Sequence, residues 1–431
     1  MDDPAFEVEV DTNTQEILLH ASNHDVLALK PFLRIPGNAS VQDAETGFTP
    51  LHATIAACGP ATSTIHTNEK GNGDVENGDG KEQEVDMEKA KNTVKELFLS
   101  GAIWNDLDSN NETPGCLAWR LGRKELYELC VEAGARAEML LGLMGRYEVL
   151  DSGSEEEEED EEEDDVEVVE GDVEMEAGGE DTKKESTENG EKESTKRDVN
   201  SKDYLASTLK FEDGKLLDGD NNGVMMAWET EIMTRSVASL LPPSFSTGQR
   251  ILNIGFGMGI IDRMFAASNP TIHHIIEAHP SVLSKLADPD HDFGPKWESK
   301  SGVDNKIHAG KWQDIVPRLL EQGMVYDAIY FDTFGEDYSQ LRNFFTEYVP
   351  GLLDESGRFG FFNGLGADRR VCYDVYTKVV ECDLSDAGLE VEWEDVVVGK
   401  LGEEGEGEWE GVSRRYWVLE GYRLPTCRFL Q

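Results

Sequence analysis

The stretch Arg250–Ile261, RILNIGFGMGII, constrains the fold of this chain more than any other. A short apolar run ends in three alternating glycines, Gly255, Gly257 and Gly259. The pattern predicts the first strand of a parallel sheet, a tight turn and the start of a helix. Glycines at such a turn let the backbone approach a ligand with no side chain in the way. A dinucleotide, S-adenosylmethionine or tight packing alone would each suit it. The spacing is GxGxG, not GxGxxG, which disfavours a pyrophosphate on the helix N-terminus.

The residues after the turn alternate between two periodicities. Strands are expected at 250–254, 272–276, 305–309, 326–331 and 357–362, and helices at 260–268, 280–287, 311–321, 338–352 and 368–381. Such alternation means an α/β fold, a parallel sheet with helices on both faces. Two further strands, 389–398 and 414–420, are expected as an antiparallel hairpin at the sheet edge. Upstream, an amphipathic piece spans Tyr204–Phe211, and a helix is expected from about Val224 to Leu241, stopped by Pro242-Pro243.

Three acids stand out on this frame. Glu277 ends the second strand, about twenty residues past the turn, where a carboxylate can accept both ribose hydroxyls of an adenosine ligand. Asp332 ends the fourth strand. In a sheet ordered 3-2-1-4-5 that position lies beside the glycine turn, in the crevice where ligands bind. Glu229, inside MMAWETEIM, is an acid in apolar company, and Met233 four residues on shares its helix face.

The rest of the chain reads as an attachment. ILLHAS (Ile17–Ser22) and TPLHAT (Thr49–Thr54) place His20 and His52 32 residues apart, and Thr113-Pro114 follows Thr49-Pro50 by 64. That is roughly one and two ankyrin periods. Residues 1–150 are expected to be an α-helical, ankyrin-like domain with a disordered insertion near 59–86. His52, and His20 with His24, are expected to serve packing between repeats. Residues 151–200 hold 24 acidic and 5 basic side chains, including eleven consecutive acids from Glu155 to Asp165, and are expected to be a disordered linker.

Net charge is −49, which disfavours nucleic-acid binding and favours basic protein partners. The six cysteines form no CxxC pair, so a reducing compartment is expected and no structural metal. No apolar run is long enough to span a membrane, and the acidic stretch MDDPAFEVEV lacks an apolar h-region, so no secretory signal is expected. The expected location is cytoplasmic and nuclear.

The blocks MMAWETEIM, LNIGFGMGI, HHIIEAHPSVL, HAGKWQDIVP, YDAIYFDTF, GRFGFFNGL and RRYWVLEGYRLP occur in this order. Together they resemble guanidinoacetate N-methyltransferase and, more closely, the fungal protein arginine N5-methyltransferases (type IV, acting on the internal δ nitrogen), which also carry ankyrin-like repeats upstream. The resemblance covers about residues 202–431. It implies a class I S-adenosylmethionine-dependent methyltransferase domain at 201–431, with a Rossmann-like sheet and the C-terminal hairpin. It implies that Gly255, Phe256, Gly257, Met258, Gly259 and Ile260 cradle S-adenosylmethionine. Glu277, Ala278 and His279 would meet its ribose and adenine, and Lys311 and Trp312 would flank the adenine. Met233 and Tyr204 would close over the cofactor. Asp332 would sit at its methionine end near the acceptor, and Glu229 would bind the guanidine.

The resemblance further implies an arginine-containing, basic protein substrate, docked through the repeats, and the chain is expected to act as a monomer without a metal. The chemistry suits two carboxylates. Neutral guanidine at pH 7 is about one part in a million, roughly 8 kcal/mol uphill. One carboxylate, Glu229, can clamp the N–H fork in bidentate fashion. Asp332 can both clamp and accept a proton.

Overall fold

A computed structural model describes residues 11–61, 86–151, 201–245, 248–403 and 405–430, with side chains left out of account over 145–151. Most of the expected insertion near 59–86 and nearly all of the acidic linker at 151–200 lie outside the described residues.

The first part is helical. It comprises α1 (Thr12–Ser22), α2 (Val26–Leu33), α3 (Pro50–Ala56), α4 (Met87–Leu99), α5 (Pro114–Arg120) and α6 (Lys124–Asp151). The two Thr-Pro pairs open α3 and α5. Thr49 and Thr113 cap them with their hydroxyls, and the following proline takes a first-turn position that needs no amide hydrogen. His52 is fully buried, and its Nε2 meets the Glu112 carbonyl at 3.0 Å, tying α3 to the turn before α5. His24 bonds the Thr54 carbonyl at 2.9 Å, while His20 packs on Phe32. Each histidine links neighbouring helices.

After α7 (Ser201–Ala206) comes a small antiparallel sheet, β1 (Lys210–Glu212), β2 (Lys215–Leu217) and β3 (Gly223–Met226). Asp213 and Gly214 both have positive φ and make the two-residue turn of the first hairpin. The helix expected from Val224 therefore starts later. Gly223, Met225 and Met226 pair with β2, a 3-10 turn covers Ala227–Glu229, and α8 runs Thr230–Leu240. Tertiary pairing outweighed local propensity there.

The main sheet follows the predicted alternation. Its elements are β4 (Arg250–Ile254), α9 (Ile260–Ala267), β5 (Ile272–Glu277), α10 (Pro280–Leu286), α11 (Pro295–Glu298), β6 (Asp304–Ala309), α12 (Trp312–Glu321) and β7 (Tyr326–Phe331). Then come α13 (Tyr338–Asn343), a π-helical turn at Phe344–Tyr348, α14 (Val349–Leu352), β8 (Leu353–Phe361), α15 (Arg370–Asp386), β9 (Leu389–Val397) and β10 (Gly421–Phe429). The seven strands lie in the order β6-β5-β4-β7-β8-β10-β9. The first five are parallel, and β10 runs antiparallel to both β8 and β9.

The final strand corrects the expectation of 414–420. The ladder takes Gly421–Phe429, while the antiparallel hairpin of β9 and β10 does lie at the sheet edge, with β10 on the inner side next to β8. Pro425 lacks an amide hydrogen, so the segment does not read as an inner strand. Trp417 and Leu419, which made 414–420 look like a strand, instead join a separate apolar cluster with Trp409, Val412 and Tyr422.

Because β4 pairs with both β5 and β7, the chain leaves it in two directions and a crevice opens at the carboxyl ends of β4 and β7. The helical part is packed against the sheet part. Its core includes Val371, Val375 and Val379 of α15.

Candidate functional site

The crevice contains a cavity of about 290 Å³. Tyr204, Glu229, Gly255, Gly257, Glu277, Ala278, Lys311, Trp312 and Asp332 all line it. These come from α7, the turn before α8, and the ends of β4, β5, β6 and β7, so the sheet topology gathers groups over a hundred residues apart.

The remaining predicted residues lie outside the lining. Met233 is fully buried on α8. Phe256 turns away and packs edge-on against Phe293, with ring centroids 5.4 Å apart. Gly259 and Ile260 begin α9, and Met258 donates its amide hydrogen to the Met225 sulfur at 3.2 Å. His279 is fully buried. Its Nδ1 accepts from the Ser281 amide at 3.1 Å, which leaves the proton on Nε2 to be donated to the Tyr204 carbonyl at 2.9 Å. It thus caps α10 and holds Tyr204, whose ring packs 4.7 Å from its own and 4.9 Å from that of Phe334.

The three glycines have separate reasons. All have positive φ. A Cβ on Gly255 would collide with the Asp332 carbonyl, one on Gly257 would lie 2.8 Å from the Met225 sulfur, and one on Gly259 would strike the Phe256 ring. The first two keep bare backbone on the cavity wall. The third makes room for a neighbouring side chain.

Glu277 is nearly buried and supports the turn. It accepts from the Phe256 amide at 3.0 Å, the Gly257 amide at 3.4 Å and the His279 amide at 2.6 Å. Burial raises its pKa, and these three donors pull it back. Below the turn, buried Asn253 donates to the Gly255 carbonyl at 2.9 Å and to Asp262 at 2.8 Å, and Asp262 pairs with His273 at 3.0 Å.

Glu229 and Asp332 face one another's charge across the far end of the cavity. Glu229 is 3% exposed. Burial and the nearby Asp332 push its carboxyl up to about 8, against hydrogen bonds from Tyr416 and the Met226 amide. Burial pushes Asp332 up to about 7. The Asp332 Oδ2 is buried without a hydrogen-bond partner. No arginine or lysine pairs with either acid among the described residues. Two desolvated carboxylates with no cation beside them repel one another, and a cation placed between them would relieve that repulsion.

Among the lining residues that the sequence reading does not name as site residues, three make specific contacts. Met225 lies in β3, where the sequence pattern predicts a helix. Glu336, in the loop after β7, accepts from Trp312 Nε1 at 3.0 Å, Gln313 Nε2 at 2.9 Å and the Thr333 hydroxyl at 2.7 Å. It fixes the indole that the resemblance sets beside the adenine. Tyr416 donates its phenolic hydrogen to Glu229.

The guanidinoacetate N-methyltransferase family profile matches residues 202–374. The protein named Protein arginine N-methyltransferase 2 of Gibberella zeae is 57% identical over 97% of this chain and 92% of its own length. The protein of that name from Neurospora crassa is 53% identical over 96% and 95%, and that of Yarrowia lipolytica 38% identical over 80% of each. With such identity along nearly the whole of both proteins, the chain belongs to the protein arginine N-methyltransferase 2 family and is an S-adenosylmethionine-dependent methyltransferase.

Proposed function

We propose that this chain methylates a guanidine nitrogen of arginine in a protein substrate, at the internal δ (N5) position. The observation that carries the reading is the uncompensated pair of buried carboxylates, Glu229 and Asp332, at the far end of the cofactor cavity. A planar cation entering there gains two charge-assisted contacts and relieves the repulsion between the acids.

The residues fit S-adenosylmethionine. Bare backbone at Gly255 and Gly257 and the carboxylate of Glu277 suit an adenosine moiety, and the walls supplied by Tyr204, Met225 and Trp312 are apolar. The cofactor supplies a methyl group already activated by a positive sulfonium. Glu229 and Asp332 then orient the guanidinium, and Asp332 takes up the proton that the attacking nitrogen must lose. Burial keeps water from competing for those acids.

The helical pairs α1/α2, α3/α4 and α5/α6 support a reading as degenerate ankyrin-like repeats that dock the substrate protein. The net charge of −49 would draw a basic one. We further propose that the chain acts as a monomer in cytoplasm and nucleus. The family profile match favours a second acceptor, a small guanidino compound.

Labelled S-adenosylmethionine, offered with guanidinoacetate or with a basic protein extract, separates the two acceptors. Fragmentation of the methylated product by mass spectrometry then assigns the δ or ω nitrogen. An ω-methylated product would sink the N5 reading. In the same assay Asp332→Asn and Glu229→Gln should keep cofactor affinity and lose most turnover. Near-wild-type turnover in both would remove them from the mechanism.

A further inference from the structure

We propose that Tyr416 is a positioning residue that turns Glu229 into a one-oxygen clamp for the acceptor. This rests on the guanidine reading above. Tyr416 comes from the segment joining β9 to β10, far in sequence from Glu229. Its hydroxyl donates to Glu229 Oε1, and the Met226 amide donates to the same oxygen at 2.9 Å. A carboxylate oxygen has two lone pairs, so Oε1 is filled and Oε2 alone is left for a guanidinium N–H. Asp332 matches it from the opposite side with its own partnerless Oδ2. Glu229 therefore meets the acceptor through a single oxygen and not through a bidentate grip, with Asp332 supplying the second carboxylate contact.

The ring of Tyr416 is itself fixed. It stacks on Trp228 with centroids 5.9 Å apart and meets Trp409 edge-on at 5.1 Å. Gly223 leaves it room, since a Cβ there would lie 2.8 Å from Tyr416 Cε1. The titratable groups facing Glu229 are Asp332, Tyr416, Tyr330 and Tyr422, all acids or phenols. Tyr416 is the one that donates a side-chain hydrogen bond to it. Removing that donor makes the carboxylate harder to ionise and frees it to rotate.

The test is Tyr416→Phe in the full chain, which keeps the ring and removes only the hydroxyl. Calorimetry with S-adenosylhomocysteine should give an affinity within about twofold of wild type. Against a synthetic arginine-rich peptide, kcat/KM should fall 10- to 100-fold, and the acidic limb of its pH profile should move up by about one pH unit. Gly223→Ala, which displaces the ring but keeps the hydroxyl, should move the limb the same way. A wild-type acidic limb in both variants, or a cofactor affinity falling in step with kcat/KM, overturns the proposal. Glu229→Gln run alongside keeps the two ideas apart. If it stays active, the guanidine reading itself fails. If it is inactive while Tyr416→Phe behaves as wild type, only the role of Tyr416 fails.

Discussion

Glu229 and Asp332 hold their protons longer than free carboxyls because burial denies them water, and Glu229 also faces the charge of Asp332. On the proposed reading both must be ionised to receive a guanidinium. The kcat/KM profile should therefore rise with pH through about 7 to 8 and level above it. Stability should move the opposite way. Between the ordinary carboxylate range and these raised values the folded state binds more protons than the unfolded one, so the pair's contribution falls as pH rises. Thermal melts of wild type and Glu229→Gln from pH 5.5 to 8.5 test this on the variant's side: it should gain on wild type as pH increases. The glycine turn offers a second test at this scale. Gly255→Ala sets a Cβ against the Asp332 carbonyl at a residue with φ of +93°. It should cost roughly 3 kcal/mol and lower turnover as well, because Asp332 is pushed from its place. A melt within 2 °C of wild type would contradict that.

At the scale of elements, the sequence was most legible where burial is two-sided. β4, β5 and β7 are almost wholly buried short runs with a helix after each, so their bounds were readable to within a residue. Glu277 and Asp332 were legible for the same reason, as acids ending such runs. Two segments were not. Gly223–Met226 has only a three-residue partner strand, too short for any periodicity, and it precedes a good helix. Tyr416 arrives from a connection without regular structure, 187 residues from its partner, so no local pattern could announce it. The network of Asn253, Asp262 and His273 under the turn was likewise hidden, because each residue reads as an ordinary strand or helix position. It yields its own prediction. Asp262→Ala strands two fully buried polar side chains and loosens the hold on the Gly255 carbonyl. Urea denaturation should show a loss of roughly 3 kcal/mol, and cofactor affinity should weaken with it.

For the molecule as a whole, the helical part and the sheet share a core. Val371, Val375 and Val379 of α15 sit among buried residues of the helices, and Tyr127 donates to Asp374. Arg370 lies 4.0 Å over the Trp119 ring. Gly134 is matched to the contact, since a Cβ there would fall 2.6 Å from Val375 Cγ2. Val375→Ala should cost about 2 kcal/mol through the cavity it leaves, and calorimetry should show one transition moving rather than a new one splitting off. A contact of this kind also makes covalent continuity dispensable. Residues 1–151 and 201–431, expressed as two separate polypeptides in one cell, should find each other through the α15 strip and co-purify as an active, nicked enzyme. Val375→Asp in the second piece should leave both fragments unable to recombine.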